Sequence, residues 1–500
     1  MKNILKTVCI VLASLAILTG CSKESSEKQI LTFKFAALDV QATITESPKA
    51  IVAIVPYGTD VTSLVPIITI SEKASISPAS GVPTDFTDPV VYTVTAEDGS
   101  KATYTATVTV NPNGGGGGID GDPTECSGYI ESNTIWPDLG LRVDYIIDGM
   151  LTITGNALLT IEPGVTIMFS GVDGGIEVGE NAGLSMIGTA EKPIILEGPV
   201  NNPNNGSWNR VLIHSKRSDN QFEHVHFLRG GSGTEKWNGV VNVRGKLSMK
   251  HCLIDGSLNS GLSTEYDGYM NAFDDNVITH CAMYPWITEN LYTMCSDISY
   301  NNSFTDNHDN RVYVDPSGFD LEDDDHTLRA LPIPYYLKGG LSIYGNKTFT
   351  VEAGTIFEFP FNTSFKVESD CNFIAQGTAD KPIIFRADDI ATPWKGILFE
   401  STRSRNVIEH CLIQECGTSD SWDERSCLYI RTDAKLTLKD NVFGPTRYFG
   451  VGIEDIEHWG NVQHSGNTFV DCQEGNVWIE RGGVYNGQQY DDYGTLNDLP

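Results

Sequence analysis

The chain repeats itself, and that repeat limits what it can fold into more than any other feature. Leu151-Thr-Ile-Thr-Gly-Asn followed by Thr160-Ile-Glu-Pro-Gly returns as Leu341-Ser-Ile-Tyr-Gly-Asn followed by Thr350-Val-Glu-Ala-Gly. Gly188-Thr-Ala-Glu-Lys-Pro-Ile-Ile returns as Gly377-Thr-Ala-Asp-Lys-Pro-Ile-Ile, and Trp208-Asn-Arg-Val-Leu as Trp394-Lys-Gly-Ile-Leu. The offset stays between 186 and 190 residues across these matches. Within each copy, apolar strand starts recur near Leu151, Ile176, Val211, Val240, Leu262 and Ile287, then Leu341, Phe365, Ile397, Leu428, Val451 and Val477. One coil of a right-handed parallel β-helix, three short strands joined by bends, uses about 22–36 residues of this kind, and stacked coils bury a continuous core that no coil buries alone. Propeller blades are longer and carry signatures absent here. The repeat predicts ten to twelve coils, with the strands at 151 and 341 equivalent.

The run from Tyr145 through Leu151-Thr-Ile, Thr160-Ile-Glu-Pro-Gly, Gly188-Thr-Ala-Glu-Lys-Pro-Ile and Trp208 resembles secreted bacterial β-helix proteins of the pectate-lyase-like fold. The resemblance covers residues 130–483 and speaks to fold far more than to function. Polygalacturonase-type members carry an Asn-Thr-Asp, an Asp-Asp, a Gly-His-Gly and an Arg-Ile-Lys on neighbouring coils. Of these four motifs only an Asp-Asp is found, as at Asp274-Asp275, which stands before an Asn-Val-Ile strand where turn acids are ordinary. No catalytic residue is assigned.

The amino terminus reads as a targeting segment. Lys2 and Lys6 precede an apolar stretch, Val8 to Leu18, too short to span a bilayer. Leu18-Thr-Gly-Cys21 resembles the lipobox of bacterial lipoproteins, which implies lipidation at Cys21 and anchoring to a membrane by acyl chains. The polar tether from Ser22 loosely resembles the export signal of surface lipoproteins in glycan-foraging Gram-negative bacteria, which points to the outer membrane and the cell exterior. With 34 basic against 65 acidic residues and a net charge of −31, nucleic acid is excluded as the main partner.

Residues 30–111 alternate with a period of two, as in Tyr92, Val94, Ala96 and Tyr104, Ala106, Val108, with Asp98-Gly99 as a hairpin turn. About seven short strands predict an Ig-like β-sandwich, resembling the stalk modules that follow such anchors. The expected order is therefore a signal peptide (1–21), a tether (22–29), the sandwich (30–111), a Gly-rich linker (112–128), β-helix blocks (129–311 and 312–483) and a tail (484–500). The fold class is all-β, and the chain is expected to be monomeric.

Nine cysteines remain after Cys9 and Cys21 are set aside. No zinc-type Cys-x-x-Cys pair occurs, and Cys252, Cys281, Cys411 and Cys472 sit in strand-like runs as small buried hydrophobes. Glu223-His224 and Glu409-His410 are repeat partners, which suggests a structural job at a strand bend; Trp208 and Trp394 are expected to cover the core beneath a bend. Asp320 to His326 is read as a solvated acidic loop, with calcium as the alternative; no cofactor or metal is otherwise expected. Trp237 and Trp422 occupy matching polar loops, with Tyr266, Tyr269 and Tyr284 near the first. Flat rings beside carboxylates suit sugar stacking, against the alternative that the tryptophans cap the wall. Trp237, Trp422, Tyr266 and Tyr269 are the glycan-binding candidates. Two functions stand: a non-catalytic surface protein that binds polysaccharide or adheres, and a polysaccharide lyase or glycoside hydrolase.

Overall fold

The computed structural model describes residues 25–110 and 122–500, apart from short gaps at 39, 56–58, 235–236, 290, 296, 316–318, 322–323, 419–420 and 422–423. The leader with Cys21, the Gly114–Gly118 run and Trp422 lie outside the described residues. The chain divides into two compact units, residues 1–118 and 119–500.

In the first unit, strand alternation produces two sheets over one core, one of three strands and one of five. Phe33, Phe35, Phe86 and Tyr92 meet there edge to face. Val90–Thr95 and Lys101–Val110 form the hairpin around Asp98-Gly99, where Gly99 adopts φ 79°. Lys49–Val55 pairs with Lys101–Val110 in parallel.

The second unit is a parallel β-solenoid of roughly 13 turns, more than the ten to twelve that the sequence spacing predicts. Short strands at Thr124–Cys126 and Val312–Val314 belong to coils that spacing alone does not reveal. Its longest wall stacks 14 strands. Inside that wall Ile153, Val178, Ile213, Val243, Thr264, Thr288, Val314 and Leu337 pile in register, one per coil. Parallel stacking buries each such residue between two others, which is why single coils have no independent stability. The last residues fold back: Thr495–Leu496 pairs antiparallel with Gly475–Arg481, and the Trp459 indole donates to the Pro500 carbonyl.

The two copies do not stack in phase. Met150–Ile153 lies in the 14-stranded wall, whereas its repeat partner Leu341–Tyr344 lies in an eight-stranded wall that begins at Phe319–Asp320. The long wall instead continues through Tyr335–Leu337, the partner of Tyr145–Ile147. The strands at 151 and 341 are thus equivalent in sequence and lie in different walls in space.

Sequence motifs acquire reasons here. A Cβ on Gly188 would come within 2.7 Å of the His224 carbonyl oxygen, and one on Gly377 within 2.5 Å of that of His410. Only glycine admits this approach. His224 and His410 themselves turn the chain at φ 50° and 48°, so the bend expected of the Glu-His pairs is present. Trp208 and Trp394 are fully buried, stacked on Phe169 and Phe359 at 4.4 and 4.0 Å. Buried asparagines tie coil to coil: Asn276 Nδ2 donates to Asn302 Oδ1 at 3.1 Å, and Asn441 Nδ2 to Asn467 Oδ1 at 2.9 Å. Asp325 accepts from the Thr348 amide at 2.7 Å, a structural task within the acidic loop.

Cys252, Cys281 and Cys411 are core residues as expected, while Cys472 is only half-buried. Burial pushes the Cys252 and Cys371 thiols up to about 12, so little thiolate exists at neutral pH. A thiol reagent should label Cys126 and Cys472 first, and Cys252, Cys281, Cys371 and Cys411 only after unfolding in guanidinium. Prompt labelling of Cys411 in the folded chain, read by peptide mapping, would contradict this packing.

Candidate functional site

On the outer face of the long wall, the middle residues of successive strands are Glu177, Leu212, Asn242, Ser263, Ile287 and Tyr313. Solvent-facing positions of a sheet are ordinarily wet. Here Leu212, Asn242, Ser263, Ile287 and Tyr313 are all buried, so this face is covered by the chain's own loops. Trp237 belongs to one such loop: its carbonyl accepts from Asn242 Nδ2 at 2.9 Å, and its side chain is half-buried.

Beneath that loop lies a polar floor. Arg244 Nη2 donates to Glu265 Oε2 at 3.0 Å, with the Glu265 side chain 6% exposed. Arg210 bonds Asn238 through Nη1, and His214 stands 3.2 Å from Glu177. Burial and the neighbouring Arg244 push the Arg210 guanidinium below its ordinary value. Six buried polar atoms on these coils have no hydrogen-bond partner among the described residues: Arg210 Nε, Arg244 Nε, Asn242 Oδ1, Ser260 Oγ, Ser263 Oγ and Glu265 Oε1. An unpaired buried polar atom costs about 1–3 kcal/mol.

Of the sequence candidates, Trp237 and Tyr266 adjoin this floor. Tyr266 turns the chain at φ 52°, is 65% exposed, and has the Arg244 guanidinium 5.3 Å from its ring centre. Its amide donates to Glu289 Oε2 at 3.1 Å. Tyr269 is half-buried beside Lys246 at 5.8 Å. Tyr284 packs instead on Tyr313 at 4.8 Å, in a tyrosine row that continues to Tyr336. Sequence reasoning named the aromatic residues and missed the floor. The signal was available, because Arg244 and Glu265 have repeat partners in Arg431 and Glu454, which also pair, at 3.3 Å.

The second copy has the same frame and a different interior. Gly396 stands where the first copy has Arg210, and Tyr429 where it has Asn242. The Tyr429 hydroxyl bonds Glu480, and Arg431 lies 5.4 Å from the Tyr429 ring. Lys366 bridges Glu368 and Glu400. The second copy therefore keeps the arginine–glutamate pair and replaces the groups around it.

A second feature lies at the junction of the copies. A recess of about 420 Å³ is lined by Lys250, Asp274, Asp297, Tyr300, Arg329, Glu352 and Lys381. Arg329 stands 3.6 Å from Glu352, and Lys381 lies 5.5 Å from the Tyr300 ring centre. Asp274 ends the strand Tyr269–Asp274, whereas Asp275 turns at φ 51° and faces His251 at 3.7 Å. The adjacent pair in sequence is therefore two separate groups in space.

Residues 30–108 match the family model described as SGBP, N-terminal, and residues 130–235 match the pectate-lyase-like beta helix domain. No curated protein matches the chain. Among solved structures, a "putative glycoside hydrolase" of Bacteroides thetaiotaomicron is 35% identical over 18% of this chain and 27% of its own, with a TM-score of 0.17. A "putative secreted protein" of Bacteroides fragilis is 23% identical over 17% of this chain and 96% of its own, with a TM-score of 0.15.

Proposed function

We propose that this chain is a cell-surface lipoprotein that holds polysaccharide on the outer wall of its first β-helix copy without cleaving it. The observation that carries this reading is the exposed Tyr266 ring with the Arg244 guanidinium 5.3 Å from its centre, and the Arg244–Glu265 pair beside it. Sugars present hydroxyls that both donate and accept, and apolar C–H faces that rest on aromatic rings. The match of the first unit to an SGBP domain, a glycan-binding type, supports the same reading, and Leu18 to Cys21 supports the lipid anchor at the outer membrane. In the floor, two arginines face Glu265 and Glu177, and the whole chain carries a net charge of −31. That balance favours neutral glycans over polyuronates.

The junction recess supports a second reading, a lyase or hydrolase. Carboxylates of Asp274, Asp297 and Glu352 stand there among Lys250, Arg329 and Lys381, the residue types of acid–base work on sugars. One experiment separates the two: affinity electrophoresis against a polysaccharide panel, with parallel assays for new reducing ends and unsaturated products. The expected result is retardation by a neutral polysaccharide with no product from any member. Product formed by the intact chain and lost in Asp274→Asn would replace binding with catalysis.

A further inference from the structure

We propose that Glu223, His224 and His251 form a site for one divalent transition-metal ion, with zinc as the expected occupant. The three side chains offer ligand atoms that all lie within 4.8 Å of one another. His224 and His251 occupy the same bend on successive coils, at φ 50° and 52°, and their rings lie parallel at 4.9 Å. Glu223 and Lys250 are register partners on the strands that lead into those bends. The fold therefore delivers a carboxylate and two imidazoles to one edge of the rod from two coils.

The second copy is an internal control. There Glu409, His410 and Asp440 occupy the equivalent places, also within 4.8 Å. Glu409 is already taken: Gln376 Nε2 donates to one oxygen at 2.9 Å and Lys439 Nζ to the other at 2.5 Å. Lys439 beside it holds the Glu409 carboxyl below the usual carboxylate range. In the first copy the register position of Gln376 is Ile187, which has no donor to offer. Lys250, the partner of Lys439, makes no ion pair among the described residues and lines the junction recess. Glu223 consequently has no hydrogen bond or ion pair from its carboxylate among the described residues. The substitution of Asp440 by His251 adds a second imidazole where the clamp has been lost.

Two imidazoles and one carboxylate suit zinc, nickel or copper rather than calcium, which takes oxygen ligands. Zinc–nitrogen bonds of about 2.0–2.1 Å place tetrahedral donors about 3.3 Å apart. The exposed His251 ring closes that gap by rotating about its side-chain bonds. Asp275, 3.7 Å from His251 Nδ1, then orients the ring so that Nε2 is the ligating atom. Water completes the coordination at this partly open edge.

Zinc titration of the intact chain by calorimetry tests this, with cobalt absorption as a second readout of tetrahedral nitrogen ligation. One equivalent should bind. His251→Asn, His224→Asn and Glu223→Gln should each weaken binding about tenfold or more, while His410→Asn leaves it unchanged. Asparagine tolerates the left-handed bend, and an unchanged thermal unfolding curve shows that the fold is kept. Absence of zinc uptake by the intact chain would overturn the assignment. So would uptake undiminished in both Glu223→Gln and His251→Asn, or reduced as much by His410→Asn as by His224→Asn.

Discussion

Replacing Trp208 by alanine should destabilise the β-helix by about 3–5 kcal/mol, and replacing Trp394 should cost the same within error. Each indole is fully buried and stacked on a phenylalanine of the coil before it. Each also donates from Nε1 to a carbonyl of the next coil, Leu228 and Gln414, both at 2.8 Å. Truncation leaves a cavity the size of an indole, a ring without its partner, and a carbonyl without its donor. Stability in a solenoid is close to a sum of coil and interface terms. The loss should therefore concentrate in the coils that touch the cavity, which hydrogen exchange resolves. A change below about 1 kcal/mol in the urea midpoint, or opening spread evenly along the rod, would show that these residues do not pin their coils.

This symmetry was legible before any coordinates, because Trp208 and Trp394 carry their neighbours with them in the repeat. So was the burial of Cys252, Cys281 and Cys411. Buried ladders are written into a solenoid sequence as recurrent apolar residues, since each coil repeats the same inward positions. The shift of one wall between copies was not legible. Hydrophobic spacing does not say which wall a strand joins. The asparagine ladder was also hidden: single asparagines between strands look like any turn, and only register brings Asn276 to Asn302.

The candidate site divides in the same way. Aromatic residues in polar loops drew attention to Trp237, Tyr266 and Tyr269. The floor of Arg210, Asn242, Arg244, Ser263 and Glu265 did not, because its members come from three coils and meet only when the coils stack. Comparison of the copies then separates site from scaffold. Arg244–Glu265 and Arg431–Glu454 are a shared frame. Arg210 and Asn242 differ from Gly396 and Tyr429, so the residues around that frame are where the copies diverge.

The double substitution Trp237→Ala with Tyr266→Asn should lower polysaccharide affinity by roughly 30-fold to 1,000-fold, about 2–4 kcal/mol if each aromatic edge acts as a binding anchor. Asparagine at 266 keeps the left-handed bend, and alanine at 237 keeps the carbonyl that Asn242 holds. Folding should thus survive, and the thermal midpoint should stay within a few degrees. Arg244→Lys is the matched test of the floor. It retains the charge facing Glu265 and loses the planar fork that reaches two acceptors at once, so affinity should fall about tenfold. Full retention in the double variant would make both rings wall packing and move any glycan site elsewhere.

The most direct measurement is a crystal structure of the intact chain with an oligosaccharide from whichever polysaccharide retards it. The account predicts an uncleaved sugar beside the Trp237 loop, with its apolar face on the exposed Tyr266 ring and hydroxyls toward the Arg244 guanidinium. Sugar found only in the recess lined by Asp274, Asp297 and Arg329, or cleaved there, would contradict it.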